Sequence, residues 1–241
     1  MTDAWTVLRE ATRARVGLGR AGDGLPTTEV LRLSAAHAMA RDAVHEPLRV
    51  DEIVGALHDA GFPTTTVASA ADGRAQYLQR PDLGRRLADG DGLEAGEWDL
   101  AVVVADGLSA FAVHAHAVGL VSTLLAQLEG WRVAPVVVAT QARVALGDDV
   151  AQRLGAAMVL VLIGERPGMS SPDSLGAYLT WAPQRGRADS ERNCVSNIRP
   201  PDGLSYERAT EVLVALMTEA RRLELTGVGL KDTGGALPPG E

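Results

Sequence analysis

The sequence predicts an α/β protein: a three-layer domain with a mostly parallel sheet, preceded by a small helical N-terminal domain. Three observations carry this reading. The runs LAVVVA (100–105), PVVVA (135–139) and MVLVLI (158–163) are short, Val-rich and apolar throughout, as strands buried on both faces are. Helical patterns separate them: SAFAVHAHAVGLVSTLLAQLEG, about six turns long, and the shorter ALGDDVAQRLG. Strand–helix–strand–helix–strand is the signature of parallel crossovers. The first fifty residues carry no such runs and read as helical.

Taken in order, Ala4 to Val16 places Trp5, Leu8, Ala11 and Val16 on a roughly helical stripe. GLGRAGDGLP then makes a loop. Thr27 or Thr28 is the expected cap of the next helix, with Glu29 in its first turn. That helix runs to Met39 or Arg41, and Pro47 ends the segment. A helix over 51–60 closes at Gly61. TTTVAS is β-like, and RPDLGRRLADG reads as a short helix entered through Pro81. After the three Val-rich runs, AYLTWA and NCVSNI are candidate edge strands. YERATEVLVALMTEARRLEL (206–225) is an amphipathic terminal helix, and KDTGGALPPGE is a loose tail. The expected division is a helical domain over 1–48, the α/β domain over 49–232 and a flexible tail over 233–241.

Composition narrows the function classes. The chain has 241 residues, 46% hydrophobic and 22% charged, enough for a large core without disulfides or a structural metal. No run of 18 apolar residues marks a membrane span, and the N-terminus lacks a secretory pattern. A single cysteine, Cys194, makes no internal disulfide, so a reducing, cytoplasmic setting is expected. The net charge of −8 has the wrong sign for sequence-independent nucleic-acid binding, and 4% aromatic content provides no stacking platform. Lys231 is the only lysine, so the positive charge is nearly all arginine.

Ligands of parallel α/β sheets gather at the carboxyl ends of the strands. That rule selects three loops: ADGLSA, TQARVALGDD and GERPGMSSPDSLG. The last is far longer than a plain connection requires. Known motifs fit poorly. GLGRAG (17–22) matches G-x-G-x-x-G, with Asp42 twenty residues beyond, but it follows a helical segment rather than a strand. A nicotinamide-dependent oxidoreductase built on it is a minor alternative. His114 and His116 point about 200° apart on a helix and cannot share a metal. They are read as core or interface residues. Ser109, Ser170 and Ser171 lack a G-x-S-x-G elbow, and no Walker A pattern is present. Asp106 is read as a helix cap, with a catalytic role left open. Cys194 is read as a structural or ligand-lining thiol. An α/β chain with a loop-built site and no acid–base or nucleophile set borrows its chemistry from a cofactor or a partner.

Several strings remain: VGLGRAGDGLPTTEVLRLSAAHAMARDAV, YLQRPDLGRRL, VVVADGLSAFAV, ARVALGDDVAQRLGA, LVLIGERPGMSSPDSLGAYLTWAP and ERNCVSNIRP. In this order, from about residue 5 to residue 232, they resemble the small subunit of ethanolamine ammonia-lyase. The resemblance implies a Rossmann-like α/β domain behind a helical N-terminal domain. It implies adenosylcobalamin as cofactor and a large barrel subunit as partner in a hetero-oligomer. It also implies radical conversion of ethanolamine to acetaldehyde and ammonia, with substrate held mainly by the large subunit.

Three cofactor-binding positions carry over from the family: Val144 in ARVAL, Glu165 in GERPG, and Cys194 before V-S-N. Val144 is expected to give apolar contact and Glu165 to accept from cobalamin amides. Cys194 is expected to lie near the corrinoid without redox action. No catalytic residue and no metal ligand is assigned to this chain. His116 and Gly119 fit part of D-x-H-x-x-G, but His114 replaces the aspartate. The cobalt is therefore expected to keep dimethylbenzimidazole as its lower ligand, as in the family. Relatives with a long N-terminal extension are linked with bacterial microcompartments; this chain starts near the first family helix, so the cytoplasm is expected and the microcompartment lumen is the alternative. A non-catalytic corrinoid-binding assembly module is the remaining alternative.

Overall fold

The computed structural model describes residues 4–12, 14–88 and 92–231. The expected tail over 233–241 lies outside them. The elements run α1 (Ala4–Ala11), α2 (Thr27–His45), α3 (Val50–Asp59), β1 (Thr64–Ala68), α4 (Arg74–Gln79) and a 3-10 turn at Leu83–Arg85. They continue with β2 (Trp98–Ala105), α5 (Ala110–Leu125), β3 (Val136–Thr140), α6 (Leu146–Leu154) and β4 (Ala156–Gly164). β5 (Leu175–Trp181), β6 (Asn193–Ile198) and α7 (Tyr206–Leu223) complete the α/β part.

The six strands form one sheet in the order β1-β3-β2-β4-β5-β6. The pairs from β1 to β4 are parallel, and β5 and β6 join antiparallel. The Val-rich runs are the three central parallel strands, as their composition predicts. Alternation along β2 divides the core. Leu100, Val102 and Val104 pack with α3, α5 and α7 on one face, and Ala101, Val103 and Ala105 pack with α6 on the other. Two apolar clusters on opposite faces make three layers.

Local chemistry sets the boundaries. Ser109 caps α5 by accepting from the Ala112 N–H, and Ser205 caps α7 by accepting from the Arg208 N–H. Gly61, at φ +86, ends α3 in a left-handed turn in which the Phe62 N–H reaches the Leu57 carbonyl.

Five expectations are corrected. α2 has Pro26 at its N-cap and no side-chain cap, so neither Thr27 nor Thr28 caps it. It also runs on to His45; Glu46 precedes Pro47 and turns extended, which stops the helix there. α1 ends at Ala11 rather than Val16, where the Thr12 hydroxyl takes the Ala14 N–H in place of a helical carbonyl. The segment after Pro81 makes only a 3-10 turn, whereas α4 gave no sequence signal because Gly73 offers it no side-chain cap. β5 is interior: it lies between β4 and β6 and is buried at Leu175, Ala177 and Leu179.

α1 and α2 contribute little to the core. α1 buries no residue and α2 buries only Ala43. Trp5, Leu8, Val30, Leu31 and Met39 stay exposed on them. No helix among the described residues is long and apolar enough to cross a membrane.

The two helix histidines go to different neighbours. The His114 Nε2 accepts from the Arg49 N–H at 3.0 Å, and its Nδ1 lies 3.4 Å from Glu46. The His116 Nδ1 meets the Tyr206 hydroxyl at 2.9 Å, and its Nε2 faces Asp173 at 3.5 Å. Desolvation lowers both pKa values. Neighbouring Arg49 adds to this for His114 and Arg199 for His116, against partial offsets from Glu46 and Asp173.

Two predictions follow from the packing. A depressed histidine pKa means that the unfolded chain takes up its protons first as pH falls through about 6.5. The stability these neutral rings contribute is therefore present above that pH and lost below it. Denaturant unfolding of a His114→Gln/His116→Gln variant should show a shallower loss of stability than the native chain between about pH 7 and about pH 5. The second concerns Arg192, whose side chain is 2% exposed and forms a two-pronged pair with Asp148 at 2.8 and 2.7 Å. Asp148→Ala strands a buried guanidinium and should cost about 3–5 kcal/mol in a urea titration.

Candidate functional site

The crossover pattern opens the sheet at its carboxyl end. α5 leaves β2 toward one face and α6 leaves the adjacent β3 toward the other. Loops that part in this way leave a crevice between them. The three loops selected from the sequence line it.

Asp106, at the end of β2, fastens the crevice. Its side chain is 2% exposed. It accepts from the Gln141 and Ala142 N–H groups at 2.9 Å each, and Arg74 approaches at 3.5 Å. Burial raises its pKa, and those two N–H groups and Arg74 offset part of the rise. It does not cap α5, as the sequence had indicated; Ser109 does. Asp106 instead ties the loop after β3 to the end of β2. Arg74 also donates to the Gly107 carbonyl at 2.8 Å. Gly107 has φ +55, and a Cβ there would lie 2.3 Å from the Gly164 carbonyl oxygen. Glycine is required for the β2 and β4 loops to approach so closely.

Two adjoining clefts result. One, of about 500 Å³, is lined by Gly107, Leu108, Ile163, Glu165, Arg166 and Tyr77, together with Arg143, Val144 and Tyr178. The other, of about 410 Å³, shares Arg143, Val144 and Tyr178 and adds Arg85, Ala145, Asp189, Arg192 and Cys194. Val144 and Glu165 thus meet in the first cleft, and Val144 and Cys194 in the second.

Glu165 begins the long loop at the end of β4. Its carboxylate accepts from the Ser174 hydroxyl, from the Ser196 hydroxyl at 2.5 Å and from the Asn197 N–H at 3.2 Å. These three donors use most of the roughly four lone-pair sites of a carboxylate. Glu165 therefore holds the starts and ends of three strands together as well as facing the cleft. The rest of its loop is pinned by Ser109 donating to the Pro172 carbonyl at 2.8 Å and by Arg199 on Asp173 at 2.9 Å.

Cys194 lies on β6 opposite Tyr178 of β5. Desolvation raises its pKa, the Tyr178 hydroxyl offsets part of the rise, and the Glu165 charge adds to it. A thiol held protonated is a poor nucleophile. The Tyr178 hydroxyl is also pushed upward, first by burial.

Sequence reasoning missed Arg143, Tyr77 and Tyr178. Arg143 adjoins Val144 in the quoted ARVAL string, and Tyr178 stands in AYLTWA with the alternation of a strand. Those were the available signals. Tyr77 opens the quoted YLQRPDLGRRL string, but α4, to which it belongs, gave no helical signal. Among the described residues, no group of three or more His, Cys, Asp or Glu side chains is placed to hold a metal ion. The GLGRAG loop joins α1 to α2, and an isolated bridge pairs Ala21 with Gly24. It lacks the strand–turn–helix frame of a dinucleotide site.

Comparison with known proteins places the chain. The family model of the ethanolamine ammonia-lyase light chain (EutC) matches residues 2–231. The ethanolamine ammonia-lyase small subunit of Rhodococcus erythropolis is 49% identical over 236 residues, covering 97% of this chain and 92% of that protein. The same subunit of Xanthomonas campestris pv. campestris (strain ATCC 33913) is 52% identical over 240 residues, covering 95% of this chain and 88% of that protein. That of Azotobacter vinelandii is 50% identical over 238 residues, with 95% and 88% covered. With a match of this length and identity, the chain belongs to the ethanolamine ammonia-lyase light-chain family.

Proposed function

We propose that this chain is the cofactor-contacting subunit of an adenosylcobalamin-dependent ethanolamine ammonia-lyase, active with a large subunit. The observation that carries the reading is the meeting of Val144, Glu165 and Cys194 around two clefts that share a wall. When bound, adenosylcobalamin supplies the radical that starts the conversion of ethanolamine to acetaldehyde and ammonia.

The residues present suit a corrinoid. Its ring is broad and apolar on its faces and rimmed with amides, so it needs an apolar wall bordered by donors and acceptors. Leu108, Val144 and Ile163 supply the wall. Arg143 and Arg166 supply donors, and Glu165 keeps about one acceptor site for an amide N–H. The buried Nε of Arg143 has no hydrogen-bond partner among the described residues, as expected of a donor that awaits a ligand. Among the described residues, no histidine lines either cleft. Cys194, kept protonated, gives contact rather than redox chemistry.

The division of labour follows. This chain binds and orients the cofactor. Substrate recognition falls to the large subunit. The domain division at residue 48 and a Rossmann-like reading of 49–232 agree with the sheet order and with the sparse burial in α1 and α2. The exposed apolar surface of those helices is the face a partner would cover. The cytoplasm is the proposed location.

The decisive experiment titrates adenosylcobalamin into the large subunit with and without this chain and follows acetaldehyde release from ethanolamine. Tight binding and turnover should require both chains. Unchanged corrinoid affinity on adding this chain overturns the reading, and binding without turnover converts it to that of an assembly module. Val144→Trp fills the shared wall of both clefts and should abolish cofactor binding. Glu165→Gln keeps the shape but removes the charge, and should weaken binding about tenfold, the low end for a charge-assisted hydrogen bond. Thermal melts of both variants check that the fold survives.

A further inference from the structure

Four arginines line the clefts: Arg192, which is paired with Asp148, and the three guanidinium groups of Arg85, Arg143 and Arg166. The acidic groups around them are already committed. Asp148 pairs with Arg192, Asp149 with Arg185 and Asp106 with Arg74. Asp189 leans on Arg192 at 3.9 Å, and Glu165 is taken up by two hydroxyls and a backbone N–H. In a chain of net charge −8, this is a local surplus of cations that no acidic group among the described residues pairs with.

Arg143 is the most firmly built of the three, and it lines both clefts. Its guanidinium lies 4.8 Å from the centre of the Tyr77 ring, and Arg74 approaches the same ring at 4.8 Å. Tyr77 is itself fixed: it is 1% exposed, and its hydroxyl donates to the Ala142 carbonyl at 3.2 Å. Its pKa is pushed up to about 12, chiefly by burial, so it remains a neutral stacking surface. The Arg143 N–H is anchored on the Gly84 carbonyl at 2.8 Å. Gly84 has no side chain for a reason: a Cβ there would lie 2.8 Å from the Tyr77 ring and 3.2 Å from the Arg143 Cγ. Against this scaffold, the Arg143 Nε is buried and unpartnered. A cation held rigidly with a buried donor unused is pre-organised for an acceptor from outside the chain.

We infer that Arg143, with Arg85 beside it in the smaller cleft, forms an anion subsite that takes the phosphodiester of the corrinoid nucleotide loop. The inference rests on the cobalamin reading and names the part of the cofactor recognised. A phosphodiester carries one negative charge over two free oxygens, which matches the two-pronged donor edge of a guanidinium. A neutral ring amide would satisfy one donor but leave two cations facing one another uncompensated. No covalent step is involved; the subsite orients the cofactor by its tail.

The test uses the complex of this chain with its large subunit and three corrinoids. Cobalamin carries the phosphate and the nucleotide base, cobinamide phosphate carries the phosphate alone, and cobinamide carries neither. Dissociation constants are read from the change in corrinoid absorbance, and the phosphorus resonance of bound cobalamin is followed by NMR. Arg143→Met should weaken cobalamin and cobinamide phosphate about ten- to a hundredfold and leave cobinamide unchanged. It should also move the bound phosphorus resonance toward its free position. Arg85→Ala, which disturbs no stacking, should repeat the pattern with a smaller loss. An equal loss for cobinamide, or no loss for any ligand, overturns the phosphate assignment while leaving the cobalamin reading intact. A native complex that binds none of the three overturns both.

Discussion

The site depends on a buried carboxylate at the end of the central strand. Asp106 has no access to water, yet it draws in the Gln141 and Ala142 N–H groups and the Arg74 guanidinium. Gln141 is held at φ +52, an uncommon conformation for a residue with a side chain. That backbone turn has a cost, and the hydrogen bond from its own N–H to Asp106 offsets it. The turn redirects the chain so that Arg143 and Val144 reach the clefts. Arg74, drawn in by the same carboxylate, stacks on Tyr77, and Tyr77 in turn backs Arg143. One desolvated charge thus fixes the geometry of the loop after β3 and the orientation of the exposed wall beyond it.

Glu165 plays the matching part on the far side. Its hydroxyl and N–H donors come from Ser174 before β5 and from Ser196 and Asn197 within β6. β5 runs antiparallel to β4 and β6 antiparallel to β5, so the start of β5 at Ser174 and the end of β6 at Ser196 and Asn197 both lie at the carboxyl end of β4. A β5 parallel to β4 would have placed Ser174 at the opposite end of the sheet.

The parts of the fold that could be read from sequence are those set by burial. β2, β3 and β4 are apolar on both faces because both faces are covered, and nothing but a central parallel strand gives that pattern. The loops at their ends followed from topology alone. The parts that could not be read depend on partners distant in the chain. β5 carries Gly176, Tyr178 and Thr180, which mimic an edge strand; it is interior only because β6 pairs beyond it. Asp106 looked like a helix cap because its true partners lie 35 and 36 residues onward. Arg143 could be noticed only as the neighbour of Val144 in ARVAL, because an arginine among 23 basic residues is ordinary. Its burial and its missing acceptor exist only in three dimensions. The resemblance carried over three cleft residues, yet the scaffold that aims them, Tyr77 and Gly84 included, came from geometry.

The N-terminal helices extend the same argument to assembly. α2 has 19 residues, about 28 Å of helix at 1.5 Å per residue. Helices in water draw most of their stability from an apolar face packed on something else. α2 buries only Ala43, while Val30, Leu31 and Met39 face outward. The segment before it is tied to the α/β part through Arg15, which donates to Ser170 and to the Met169 carbonyl in the loop that begins at Glu165. A partner that covered these helices would thus press on a segment hydrogen-bonded to the cleft-lining loop.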